Sequence, residues 1–167
     1  MLKNLFKKKL TVREASAALV STILEACKTE WDEDYKLLKP YLNDNLTEQE
    51  LEYIPFEIAL AIASMELQVA RNLSPDIATE VYENVLVLMA YDEWKDYVIE
   101  AISMEYMPYM QKSIRNNENP LEEVCRILSN KIGFNLDVLS ATVLMSVIAT
   151  KIQYWKFITQ NYKVVKN

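Results

Sequence analysis

The chain has 167 residues, 51% of them hydrophobic and 25% charged, with a net charge of −6 and no histidine. A single domain of this length buries roughly 70% of its unfolded surface, and no Gly- or Ser-rich linker divides the chain. Without histidine there are no His-based triads, HExxH zinc sites or Glu-x-x-His iron motifs, and the lone glycine, Gly133, leaves no Walker loop, dinucleotide fingerprint or supply of hairpin turns.

Residues 1–10 form a short basic segment, with four lysines, no acid, and Leu2, Leu5, Phe6 and Leu10 on one side of a helix. It suits weak, reversible contact with an anionic membrane surface, at about 1 kcal/mol per lysine, or a frayed or docked terminus. It has neither an apolar signal core nor a cleavage site, so the expected location is the cytoplasm. Residues 11–167 read as one helical domain. Thr11-Val12-Arg13-Glu14 is a capping box, and Ala15, Leu19, Ile23 and Ala26 then recur at helical spacing. A second helix spans about Asp32 to Leu42. Thr47-Glu48-Gln49-Glu50 is another capping box, opening a helix that breaks or kinks at Pro55 and runs on to about Asn72. Cys27 and Cys125 lie in apolar helical patterns and read as buried thiols.

Glu66 stands out in that helix. It lies nine residues from Glu57, half a turn round at about 100° per residue, and so points into the face of Ala59, Ile62, Ala63 and Ala70. A carboxylate there carries a raised pKa or is paired; it handles a proton or ligand, or it makes a structural hydrogen bond. Ser74-Pro75 restarts the chain as N-cap and first helical residue. A helix from about Glu93 to Arg115 follows, kinked at Pro108, and Asn119-Pro120 opens another that Gly133 stops in a left-handed cap. The last helix, about Asp137 to Tyr162, is apolar on most of its circumference. The expected fold is therefore all-α, a compact bundle of six to eight helices packed around this central C-terminal helix.

Residues 11–105 carry six basic and twenty acidic side chains, which argues against nucleic-acid binding by the body and suits a basic protein partner or self-association between unlike ends. Tyr91, Trp94, Tyr97, Met104, Tyr106, Met107, Tyr109 and Met110 concentrate adaptable, amphipathic contact groups in twenty residues. The leading expectation is a non-catalytic interaction or adaptor protein that uses this segment, without a cofactor. Glu52-Tyr53-Ile54-Pro55-Phe56 and Glu105-Tyr106-Met107-Pro108-Tyr109 echo one another, too briefly to make a repeat.

Two alternatives compete. Glu80-Val81-Tyr82-Glu83 and Glu93-Trp94-Lys95-Asp96 place acids three apart on helix faces. The pattern resembles the Glu-x-x-Glu…Glu-x-x-Asp of all-α nucleoside triphosphate pyrophosphohydrolases. That resemblance, over about 17 residues, implies a metal-dependent nucleotide hydrolase using Glu80, Glu83, Glu93 and Asp96. It requires the chain to turn near Tyr91, because a continuous helix separates Glu80 from Glu93 by about 20 Å. The other alternative is a binder of a small apolar ligand in a cavity lined by Met and Tyr.

Overall fold

Both capping boxes form, and each starts a long helix. The computed structural model describes residues 7–90 and 92–166. The Thr11 hydroxyl accepts from the Glu14 amide while the Glu14 carboxylate takes the Thr11 N–H, opening α1 (Val12–Thr29). Thr47 and Glu50 do the same for α3 (Glu48–Leu73), after the short α2 (Trp31–Leu38). Then come α4 (Ala78–Met89), α5 (Lys95–Ile99), a π-helix (Glu100–Tyr106), α6 (Met107–Arg115), α7 (Pro120–Lys131), α8 (Val138–Ala149) and α9 (Tyr154–Asn161). The fold is all-α, a compact bundle. Its sheet, among the described residues, is a parallel ribbon of β1 (Lys9–Thr11) and β2 (Lys163–Val165), with Lys9 opposite Lys163. Lys9 and Leu10, expected in a basic helix, are thus in a strand, where backbone pairing with β2 replaces intrahelical bonds. Residues 1–6 of that segment lie outside the described residues.

The centre of the bundle is α3, not the C-terminal helix. Ile58 to Ala63 are six consecutive residues with no exposed surface, which happens only where a helix is covered on every side. Its alanines let α1, α4, α7 and α9 approach closely. The apolar C-terminal stretch is interrupted instead: α8 ends at Ala149, and α9 begins after Gln153 adopts a left-handed φ of 108°. Val138 and Leu139 at the start of α8 are 90% and 65% exposed. By length and mean hydropathy, α3 and the stretch Val138–Asn161 are each apolar enough to cross a membrane; 67% of the α3 window is buried inside the bundle, against 33% of the other.

The prolines depart from expectation in opposite ways. The helix α3 continues through Pro55. The Leu51 carbonyl that loses its donor lies near the solvated end, where Glu48, Gln49, Glu50 and Glu52 are exposed, so the loss is small. Before Pro108 the chain widens into the π-helix, and the Met107 N–H reaches back five residues to Ile102. The wider turn relieves the clash between the proline ring and the preceding carbonyls. Ser74 does not cap the next helix. Pro75–Ile77 make a 3₁₀ turn, and the Ser74 hydroxyl accepts from the indole N–H of Trp155 at 3.2 Å.

Candidate functional site

The helix α3 presents Tyr53, Phe56 and Glu57 at spacings of three and four, so the three share a face. Opposite them stand Trp94, from the 3₁₀ turn Asp92–Trp94, and Tyr97 from α5. The Trp94 ring lies 5.0 Å from Tyr53, 6.2 Å from Phe56 and 5.8 Å from Tyr97, centroid to centroid. Together with Lys131, at the end of α7, these groups line a cavity of about 240 Å³.

Polar chemistry concentrates at its floor. The Tyr97 hydroxyl donates to Glu57 Oε1. Lys131 Nζ donates to the Tyr97 oxygen at 3.3 Å, lies 5.0 Å from the centre of its ring, and pairs with Glu105 of the π-helix at 2.5 Å. Glu57 Oε2 is buried with no hydrogen-bond partner among the described residues. Burial lifts the Glu57 carboxyl above its ordinary value, against the pull of Tyr97 and Lys131. Burial and the neighbouring Glu57 likewise push the Tyr97 phenol up. Glu105 neutralises Lys131, and Glu50 and Glu57 also line the cavity, so its balance is negative. Aromatic faces around a carboxylate attract a cation, through ring quadrupoles and charge together.

No protein-family model matches the chain, and no curated protein or solved structure shows significant similarity to it. The functional reading therefore rests on geometry.

The eight residues of the Tyr/Met/Trp segment do not form one surface. Trp94 and Tyr97 meet in the pocket. Tyr106, Met107 and Met110 are buried in the core. The Tyr106 hydroxyl has no hydrogen-bond partner among the described residues, and burial drives its phenol well above the ordinary value. Met104 and Tyr109 are exposed, at 67% and 45%, while Tyr91 lies outside the described residues. The helical winding from 95 to 115 turns these side chains to different sides. Sequence reading missed Tyr53, Phe56, Glu57 and Lys131. The available signal was Tyr53, Phe56 and Glu57 at helical spacing; nothing local points to Lys131.

Glu66 is fully buried, and both its oxygens are occupied by backbone. The N–H groups of Gln153 and Tyr154 donate to Oε1, the latter at 2.9 Å, and Trp155 N–H donates to Oε2 at 2.9 Å. The carboxylate of α3 thus caps the first turn of α9 from another helix. Burial lifts its pKa, and the three amides pull against that lift. The role is a structural hydrogen bond. Nearby, Lys151 is 2% exposed and pairs with Glu30 and Asp34, each at 2.9 Å. Burial disfavours its charge, but the two carboxylates hold it above the ordinary lysine value. Cys27 beside them is a free buried thiol, pushed up to about 12 by burial.

The chain does turn where the hydrolase alternative needs it, since α4 ends at Met89 and Ala90 is extended. The acids are nevertheless not gathered. Glu83, Glu93 and Asp96 are exposed, and among the described residues no three His, Cys, Asp or Glu side chains are placed to hold a metal ion. The structure thus lends the Glu80, Glu83, Glu93, Asp96 reading no support.

Proposed function

We propose that the protein is a non-catalytic interaction protein, whose pocket of Tyr53, Phe56, Trp94 and Tyr97 receives a cationic side chain of a protein partner above Glu57. The observation that carries this reading is the buried Oε2 of Glu57, which has no partner among the described residues. A buried acceptor without a donor costs about 1–3 kcal/mol, so an arriving ammonium or guanidinium recovers energy that the free protein lacks. The negative balance of the cavity and the acidic residues 11–105 favour approach of a basic partner. The size of the cavity favours one side chain of a larger partner over a free apolar ligand. At about 240 Å³ it lies below the roughly 300–1,000 Å³ of small-molecule sites, while interface hot spots commonly seat one anchor in one pocket.

The test is titration of the protein with Nα-acetyl-lysinamide, its trimethyl-lysine form and Nα-acetyl-argininamide, followed by amide chemical shifts. At least one of the three binds with a Kd in the millimolar range, about −4 kcal/mol, and shifts the amides around Glu57 and Trp94. Glu57→Gln and Trp94→Ala each remove that binding while the fold is retained. Binding that survives both substitutions, or none of the three cations binding, overturns the reading.

A further inference from the structure

A second cleft, of about 540 Å³, lies between the end of α3, the start of α4 and α6. It does not depend on the aromatic pocket or its reading. Its charged lining consists of two arginines, Arg71 at the end of α3 and Arg115 at the end of α6. Both also line an adjoining hollow that again contains no acid, so the two guanidiniums share one neighbourhood. The chain has 24 acids against 18 bases, and the half-buried Lys131 and the buried Lys151 find carboxylates, Glu105 for the first and Glu30 and Asp34 for the second. Among the described residues neither Arg71 nor Arg115 has an ion pair; Arg115 Nε reaches only the Gln111 carbonyl, at 3.3 Å. An anion in this cleft would meet two guanidiniums that no carboxylate of the described residues neutralises.

The remaining lining identifies the anion. Tyr82 donates its hydroxyl proton to Ser103 Oγ at 2.5 Å, which leaves the Ser103 proton free to donate into the cleft. The Thr79 hydroxyl lines the same wall. A carboxylate has two oxygens and is filled by a single guanidinium fork. A phosphate monoester has three terminal oxygens and about two charges near neutral pH, which suits two forks and the hydroxyls together. Leu67, Met107 and Pro108 supply an apolar wall beside the arginines, and the volume falls within the roughly 300–1,000 Å³ of small-molecule sites. We infer that this cleft binds a small organic phosphate monoester, its head between Arg71 and Arg115 and its body against the apolar wall.

The experiment titrates the full chain, at fixed ionic strength, with phenyl phosphate, inorganic phosphate and benzoate. It uses calorimetry for affinity and amide shifts for location. Phenyl phosphate is expected to bind at least about tenfold more tightly than either comparison and to shift the amides of Thr79 and Ser103. Arg71→Gln and Arg115→Gln each weaken it about tenfold or more; both side chains are exposed, so the fold persists. Lys7→Gln with Lys163→Gln, at the separate cleft those lysines line, leaves the affinity unchanged. Benzoate binding as tightly as phenyl phosphate overturns the phosphate assignment. Equal affinity in the wild type and the double arginine variant, loss in the lysine variant instead, or shifts that bypass Thr79 and Ser103 overturn the site. Should an arginine variant unfold, the shift map of the wild type decides alone.

Discussion

Glu57 and Glu66 stand nine residues apart on α3, on opposite faces of the same helix, and burial lifts the carboxyl of each above its ordinary value. They differ in what meets them. Glu66 receives three backbone N–H groups that belong to the first turn of another helix and have no other acceptor. Glu57 receives one phenol, itself shared with Lys131, and keeps an oxygen unused beside an open cavity. A buried acid whose lone pairs are filled by backbone holds the fold together. A buried acid only partly satisfied by side chains, next to space, has capacity for a ligand. Burial alone does not separate these cases.

The sharpest way to break this comparison is to remove Glu66. Glu66→Ala leaves three amides and the Gln153 turn without an acceptor, and is expected to lower stability by about 3 kcal/mol or more. Urea denaturation reads this as a fall in midpoint at unchanged slope. Glu66→Gln keeps one acceptor oxygen but turns an amide N–H toward a backbone donor, for a loss of about 1–2 kcal/mol. If Glu66→Ala were as mild as Glu57→Gln, the distinction between the two acids would collapse. Lys151→Met gives a third reference point, because it leaves the buried Asp34 without its cation. The expected loss is about 2–3 kcal/mol, below the 3–5 kcal/mol of a sealed pair, since Glu30 is exposed and water reaches that side.

The parts of the fold that were legible are those decided by a few neighbouring residues. Thr11 and Thr47 cap as their boxes announce, Asn119 caps α7, and Gly133 adopts a φ of 62°. The misplaced features depend on what packs where. The C-terminal stretch is as apolar as a core helix, yet Lys151 must reach Glu30 and Asp34, and the break at Gln153 aims the α9 amides at Glu66. None of these partners is near in sequence. The opposite face of Glu66 was readable from the 100° periodicity, but its acceptor role was not. Glu57 shares its side of α3 with Ser64, seven residues on, which is itself fully buried; a helix at the centre has no solvated face. Tyr-x-Pro at 53–55 and at 106–108 shows the same limit, one inside an α-helix and the other across the junction of a π-helix and α6.

The smaller effects concern Glu57. Glu57→Gln is expected to change stability by less than about 1 kcal/mol, because the amide still accepts from Tyr97 and avoids burying a charge, while cation binding is lost. The pH dependence follows from the raised carboxyl. In the folded protein Glu57 holds its proton above the 4.5 of the free side chain. Its stabilising contribution is therefore complete below that value and declines as pH rises through the folded pKa. Affinity for a cation runs the other way, rising as the same proton leaves. Thermal midpoints and lysinamide titrations from about pH 4 to pH 7 should show these opposite slopes in the wild type and a flatter stability profile in Glu57→Gln. Glu66 contributes a stability slope of the same sign that Glu57→Gln leaves intact, so only the difference between the two profiles reports on the pocket. If affinity stayed flat across that range while the stability profiles differed, the carboxyl would titrate in the fold without meeting the ligand, and the cation would be held by the aromatic rings alone.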